Sequence, residues 1–139
     1  MEAVVANILV VEDEPAVRGV VEQTMIRSGH SVITAEDGFD ALKKLSLGHI
    51  DLVITDLVMP EMDGVKLIGH IRERYPNVKV IAISGGGINH TPQDCLGMAV
   101  KVGAVRTLMK PFMLNELSSM TTELLGDASA KTLGATEDE

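Results

Sequence analysis

The sequence of 139 residues is poor in cysteine, in aromatic residues and in basic charge, and it has no long apolar run. Its one cysteine, Cys95, excludes an internal disulfide and suits a reducing compartment. Aromatic residues make up only 2% of the chain, so its core has to be aliphatic. A formal net charge of −8 argues against a nucleic-acid-binding surface. Because no stretch approaches the roughly 18 apolar residues of a membrane helix, and no signal-peptide pattern begins the chain, we expect a cytoplasmic protein.

Short aliphatic runs alternate with helical patterns along the chain. The predicted strands cover residues 7–11, 30–35, 52–54, 78–83 and 104–109. Each is followed by apolar residues at helical spacing, which predicts five helices. Five strands alternating with five helices, joined by short loops, predict a doubly wound α/β fold with one parallel sheet. Right-handed crossovers then bring the carboxyl ends of all strands to one edge of that sheet.

The composition changes at Gly126, where apolar periodicity ends. Beyond it the chain holds four acidic residues against one lysine, a net charge of −3: Asp127, Glu137, Asp138 and Glu139 against Lys131. We therefore predict one domain over residues 1–125 and a disordered acidic tail over 126–139. We find no internal repeat and no second domain.

Polar residues stand where four of the predicted strands end. Glu12 and Asp13 follow the first strand, Asp56 the third, Ser84 the fourth and Lys110 the fifth. Three carboxylates packed together repel one another unless a cation lies among them. Oxygen ligands without histidine or cysteine suit a hard ion, so we predict Mg²⁺, with Mn²⁺ as a substitute.

The remaining groups at this edge suit a phosphoryl group. Lys110 is able to pair with an anionic oxygen on Asp56 or on a group attached to it. Ser84 precedes Gly85 and two further glycines, which let backbone N–H groups come close to another such oxygen. Together these residues predict phosphoryl transfer onto Asp56, with the carboxylate as the attacking group.

Over about residues 6–125 the chain resembles the receiver domain of two-component response regulators. The resemblance is carried by ILVVEDE at 8–14, TDLVMPEMDG at 55–64, Ser84, and KPF at 110–112. Each motif alone is weak, but their occurrence in order, one at each strand end, is specific. The resemblance implies a flavodoxin-like sheet with strand order 2-1-3-4-5, as in CheY-like proteins of bacterial signalling.

The resemblance also implies a role for individual residues. Asp56 would be the phosphoacceptor. The implied Mg²⁺ ligands are three carboxylates and one backbone carbonyl: Glu12, Asp13, Asp56 and Val58. The implied phosphate-binding and switch residues are Ser84, Gly85 and Lys110. The family usually has a cis peptide bond at the position of Lys110-Pro111, where an X-Pro bond makes it accessible.

Two features depart from the family pattern. The aromatic switch residue of the family stands three residues before the lysine, where this chain has Thr107. The loop over 85–94 is longer than in a minimal receiver, which predicts a displaced start of the fourth helix. Implied partners are a sensor histidine kinase or phosphotransfer protein, a downstream protein on the fourth helix–fifth strand–fifth helix surface, and a second copy of the chain. Neither nucleic acid nor membrane is an expected partner.

The leading interpretation is a stand-alone receiver that acts as a phosphorylation switch or phosphorelay shuttle, catalysing only its own phosphorylation and dephosphorylation. The alternative from the enzyme class is a Mg²⁺-dependent phosphohydrolase with Asp56 as nucleophile. Such enzymes usually carry a second aspartate two residues on, where this chain has Val58. A third interpretation is an interaction module that works without phosphorylation. A dinucleotide-binding domain fits less well, since Glu12 and Asp13 replace the glycine-rich turn.

Overall fold

The computed structural model describes the backbone of residues 5–59, 61–85 and 92–137, and their side chains except those of 92–96 and 126–137. Strands and helices alternate along this part of the chain. In order they are β1 Asn7–Val11, α1 Pro15–Arg27, β2 Ser31–Ala35, α2 Gly38–Leu47, β3 Leu52–Asp56, α3 Gly64–Arg74, β4 Lys79–Ser84, α4 Pro92–Val102, β5 Arg106–Met109 and α5 Leu114–Glu137. This alternation confirms the predicted α/β organisation.

The five strands form one parallel sheet in the order β2-β1-β3-β4-β5. This confirms the predicted fold class and strand order. The central strands are apolar on both faces, as strands covered by helices on both sides have to be. Their register sets Val10 beside Ile54 and Ile54 beside Ile81, so all strands reach the same edge together.

Helices cover both faces of the sheet. Leu9 and Val11 point to the face packed by α2, α3 and α4, whereas Ile8 and Val10 point to the face packed by α1 and α5. Successive strand residues alternate between faces, so each central strand contributes to both cores. Both cores are built almost wholly of aliphatic side chains and methionine, as the shortage of aromatic residues predicts.

Local signals begin the helices near the carboxyl edge of the sheet. Pro15 opens α1, at a position where its missing N–H is no loss. Asp63 caps α3, its side chain accepting a hydrogen bond of 2.8 Å from the backbone N–H of Lys66. Both helices therefore begin directly after loops that carry polar residues of the edge. Residues 86–91 of the predicted longer loop lie outside the described residues, and α4 begins at Pro92.

The last helix, α5, runs from Leu114 to Glu137. The described backbone is helical through residue 137, whereas the composition predicts a disordered tail from residue 126. Alanines at 128, 130 and 135 favour helix, and no proline interrupts the segment. The division between domain and tail at residue 125 stays a prediction. None of the described helices has the length and apolar character needed to cross a bilayer.

Replacing Thr121 of α5 by valine is expected to stabilise the protein. Thr121 is fully buried, and its hydroxyl oxygen has no hydrogen-bond partner among the described residues. Removing a buried unpaired hydroxyl should raise the free energy of unfolding by about 1 kcal/mol. Urea denaturation measures the change. The adjacent exposed Thr122→Val is the control and should shift stability by less than about 0.5 kcal/mol. A less stable Thr121→Val protein would contradict the prediction.

Candidate functional site

The end of β1 supplies two of the carboxylates predicted to meet. The backbone N–H of Glu12 donates a hydrogen bond of 3.0 Å to the carbonyl of Ala35, continuing the pairing of β1 with β2. Glu12 is 5% exposed, whereas Asp13 is exposed to solvent. The Glu12 side chain accepts a hydrogen bond of 3.2 Å from the backbone N–H of Glu14. The side chain of Glu12 is therefore held in a buried position at the strand end.

The third carboxylate belongs to Asp56, the last residue of β3, which is 6% exposed. The hydroxyl of Thr55 donates a hydrogen bond of 2.8 Å to the carbonyl of Asp56. The backbone N–H of Leu57 bonds the carbonyl of Ile83 at 2.9 Å, extending the pairing with β4 beyond the carboxylate. Asp56 is thus fixed by regular sheet on one side and by a short loop on the other.

The loops after β4 and β5 bring the remaining groups. Ser84 is fully buried at the end of β4, and its carbonyl accepts a hydrogen bond of 2.9 Å from the backbone N–H of Lys110. The Lys110–Pro111 peptide bond is cis. Gly85 lies against the Lys110 side chain, because a Cβ built on Gly85 would be 3.4 Å from the Cβ of the lysine.

Lys110 reaches the carboxylates directly. Its Nζ lies 3.2 Å from Oδ2 of Asp56 and 3.6 Å from Oε1 of Glu12. Ligand oxygens of Glu12, Asp13 and Asp56 all lie within 4.8 Å of one another. Three oxygen donors at this spacing fit a hard divalent cation, which usually keeps part of its water shell. The described residues therefore place the predicted acids and the predicted lysine in one site.

The charges at this site shift two pKa values. Burial, and then the charge of Asp56, raise the pKa of Glu12 to about 7, against the lowering effects of the Glu14 N–H and Lys110. Burial alone would lower the pKa of Lys110, but Asp56 and Glu12 together raise it. A carboxyl group that is buried beside a second acid is hard to ionise, and a bound cation would favour its charged form. The raised pKa of Glu12 is therefore consistent with a cation site.

The metal-free protein should lose stability as the pH rises from 4.5 to about 7 through the titration of Glu12. Because the pKa of Glu12 is higher in the folded protein than its ordinary value of 4.5, the folded state binds more protons than the unfolded chain across this interval. The free energy of unfolding contributed by Glu12 therefore falls with rising pH. At about 1.4 kcal/mol for each pKa unit, the effect is on the order of 1–3 kcal/mol after screening.

Urea denaturation in EDTA across this pH interval, on the wild type and on Glu12→Gln, measures the contribution. Glutamine cannot ionise, so the variant should lack this part of the pH dependence. His30, whose pKa is lowered by burial, contributes with the opposite sign in both proteins and cancels in the comparison. If the free energy of unfolding changed with pH in parallel in the two proteins, the prediction that the pKa of Glu12 is raised would be wrong.

Val58 and Thr107 were also predicted to belong to the site, whereas Arg18 was not. Val58 donates its N–H to Oδ1 of Asp56 at 3.4 Å, and its side chain is 46% exposed; its carbonyl as a metal ligand stays a prediction. Thr107 lies half-buried in β5, opposite Ala82. Sequence reasoning missed Arg18, which contacts the backbone of Glu12, although side chains in the first turns of a helix point back toward its start.

The sequence is similar to known proteins over most of its length. Residues 8–122 match the family described as the response regulator receiver domain. A DNA-binding transcriptional regulator, NtrC of Azospirillum brasilense, is 37% identical over 123 residues, or 86% of this chain. The match covers 24% of that protein, so this chain spans about a quarter of its length.

Solved structures agree. A response regulator protein of Thermotoga maritima, in complex with Mg(2+)-BeF, has a TM-score of 0.76 and 32% identity, covering 86% of this chain and 99% of that one. A CheY-like receiver domain protein of Methanospirillum hungatei has a TM-score of 0.82 at 23% identity, covering 92% and 99% of the two chains, and supports the fold alone. This chain therefore belongs to the family of response regulator receiver domains.

Proposed function

We propose that this receiver takes a phosphoryl group onto Asp56 from a phosphohistidine of a sensor kinase or phosphotransfer protein, or from a small phospho-donor, and that Mg²⁺ assists. One observation carries the proposal. Lys110 Nζ lies 3.2 Å from the Asp56 carboxylate, on which the ligand oxygens of Glu12 and Asp13 also converge. The proposal sets this exchange in the cytoplasm.

In the proposed reaction the Asp56 carboxylate attacks the phosphorus atom while the bond from phosphorus to the donor nitrogen or oxygen breaks. Lys110 pairs with an oxygen of the transferred group, and the Ser84 hydroxyl and Gly85 N–H bond another. The three acids and the Val58 carbonyl would hold Mg²⁺, which supplies positive charge to the phosphoryl oxygens. A bound cation would favour the charged form of Glu12, whose pKa is otherwise raised, and Asp56 remains the nucleophile.

The proposed donor approaches along a groove between α1 and the loop after β5. The groove has a volume of about 740 Å³. Val17, Val20 and Phe112 are among its apolar lining residues, and Glu14 and Lys110 are its charged ones. Because Lys110 also contacts Asp56, a partner side chain entering this groove would arrive beside the acceptor. An apolar partner surface that presents one phosphohistidine fits such a groove.

Phosphorylation would work as a switch through the loops after β4 and β5. The modification changes the charge on Asp56 from one negative charge to about two and adds strong acceptor oxygens, drawing Ser84 and Lys110 toward it. Those residues lead into α4 and α5, and apolar side chains are exposed at Met98 of α4, at Val105 before β5 and at Met113 before α5. Moving the switch from mostly off to mostly on needs roughly 3–5 kcal/mol of differential stabilisation. We propose this face as the surface that a downstream protein or a second copy reads.

The output step differs from burial of an aromatic ring, because Thr107 occupies the switch position. A half-buried threonine at this position offers a methyl group and a hydroxyl in place of the ring. The proposed activity is limited to the chain's own phosphorylation and dephosphorylation. Val58, where aspartate-nucleophile phosphohydrolases carry an acid, leaves the site without a side-chain proton donor at that position.

Intact-protein mass spectrometry tests the proposal. The wild type is incubated with acetyl phosphate and Mg²⁺, and in parallel with acetyl phosphate and EDTA. We expect the mass gain of a single phosphoryl group, mapping to Asp56, with Mg²⁺ and little or none with EDTA. Absence of the adduct under both conditions, or an adduct on another residue, would refute the assignment. Steady release of phosphate from several esters would favour the phosphohydrolase instead.

A further inference from the structure

Arg18, one turn into α1, reaches back to the loop that carries two of the acids. Its Nη1 donates a hydrogen bond of 2.9 Å to the backbone carbonyl of Glu12. The backbone N–H of Arg18 bonds the carbonyl of Glu14 at 2.9 Å, which fixes the residue in the first turn of the helix. The guanidinium therefore tethers the helix to the end of β1.

The carbonyl that Arg18 binds belongs to the peptide group joining Glu12 to Asp13. A peptide group is planar and rigid, so fixing its oxygen fixes the plane. The orientation of that plane sets where the Cα–Cβ bond of Asp13 points. Asp13 is exposed, whereas Glu12 is already held by its N–H bond to Ala35 and by the Glu14 N–H on its side chain.

The first turn of α1 gives this loop little other support. Glu14, at the cap position, makes no capping hydrogen bond with its side chain, and Pro15 has no N–H to donate. Arg18 acts on the backbone, since its Nη1 donates to the carbonyl oxygen of Glu12. A long side chain with a planar donor group suits such a fixed acceptor.

We propose that Arg18 is a positioning residue, which sets the peptide plane between Glu12 and Asp13 so that both carboxylates face Asp56 and hold Mg²⁺. The inference rests on the proposed function, because it assumes that these acids bind the cation. Residues behind the ligands of a metal typically contribute about 10–100-fold to its affinity. Since Arg18 acts through one half-buried backbone contact, we expect the lower end of that range.

Isothermal titration calorimetry with Mg²⁺ alone, without a phospho-donor, measures the effect on the folded chain. Arg18→Met should weaken Mg²⁺ binding about tenfold, and Arg18→Lys, which keeps one donor and the charge, should restore part of the affinity. The matched control is Arg27→Met, which removes the same charge from an exposed position at the end of α1. It should bind Mg²⁺ as the wild type does.

A second measurement separates positioning from a general structural role. The rate of phosphorylation by acetyl phosphate is followed as Mg²⁺ is raised. The Arg18→Met protein should need about tenfold more Mg²⁺ for half its maximal rate and should then approach the wild-type maximum. A merely destabilised protein would lose the maximal rate as well. If circular dichroism shows Arg18→Met to be unfolded, Arg18→Lys carries the comparison, with a smaller increase in the Mg²⁺ needed for half its maximal rate.

The outcomes are distinguishable. Equal Mg²⁺ affinity in the wild type and the folded Arg18 variants would overturn the inference and leave the proposed function standing. A lower maximal rate at saturating Mg²⁺ with unchanged affinity would overturn it too, because Arg18 would then act on the donor. Failure of the wild type and Arg27→Met to bind Mg²⁺ would refute the cation site itself, and the inference with it.

Discussion

Replacing Asp56 by asparagine is expected to abolish the uptake of a phosphoryl group from acetyl phosphate. The amide oxygen of asparagine carries no negative charge and is a far weaker nucleophile than a carboxylate. The side chain keeps nearly the same shape, so the sheet pairing on either side of residue 56 is preserved. Intact-protein mass spectrometry should show no adduct under conditions in which the wild type is phosphorylated, a loss of at least about 100-fold.

Asp63→Asn is the matched control for this substitution. Asp63 lies seven residues further along, in the same loop, and removal of its charge changes the net charge equally. It caps α3 by accepting from the N–H of Lys66, and asparagine is an equally good cap. This protein should be phosphorylated as the wild type is. A persistent adduct in Asp56→Asn would mean that another side chain accepts the phosphoryl group.

The same variant has an electrostatic consequence that does not involve a phospho-donor. The charge of Asp56 is one of the causes that raise the pKa of Glu12. Removing it should lower that pKa, so the loss of stability between pH 4.5 and about 7 in EDTA should be smaller in Asp56→Asn than in the wild type. The phosphoryl adduct and the pH dependence of the free energy of unfolding therefore test the role of Asp56 beside Glu12 through two independent measurements.

Much of this site follows from chain order and strand periodicity. Glu12, Asp56, Ser84 and Lys110 each stand at the end of an aliphatic run, and parallel strands bring their carboxyl ends together. The convergence required only that the runs be strands of one sheet, which the alternation with helices predicts. The structure confirms the strand order and places Lys110 within 3.6 Å of both Glu12 and Asp56.

Hydrogen bonds between side chains and the backbone could not be predicted from the sequence. The Arg18 bond to Glu12 and the Thr55 bond to Asp56 depend on atomic positions to within a few tenths of an ångström, which the periodicity of the sequence does not define. The continuation of α5 past Gly126 depends on two opposing factors, the helix propensity of its residues and the lack of an apolar face. Composition alone does not predict which of the two dominates. Gly64 belongs to a recognisable motif, but only the coordinates explain why it has to be glycine.

Replacing Gly64 by alanine should impair both the fold and the site. A Cβ built on Gly64 would lie 2.5 Å from the carbonyl oxygen of Asp56 and 2.7 Å from Cα of Leu57. Both atoms belong to the backbone, so neither can rotate away as a side chain would. The N–H of Gly64 also donates a bond of 2.8 Å to the Leu57 carbonyl, which ties the start of α3 to the end of β3. The added methyl group has to push these two elements apart.

We expect the free energy of unfolding of Gly64→Ala to fall by about 3 kcal/mol, at the upper end of the usual effect of overpacking. The displaced carbonyl of Asp56 should also move its carboxylate relative to Lys110, so phosphorylation should slow even when the variant is folded. Gly69→Ala, in the same helix and with open space around its Cβ, is the control. It should gain about 0.5–1 kcal/mol, since alanine favours helix over glycine. Similar changes in both variants, measured by urea denaturation, would show that the close approach at Gly64 is not the cause. Opposite signs would tie the stability of the β3–α3 connection to the position of Asp56.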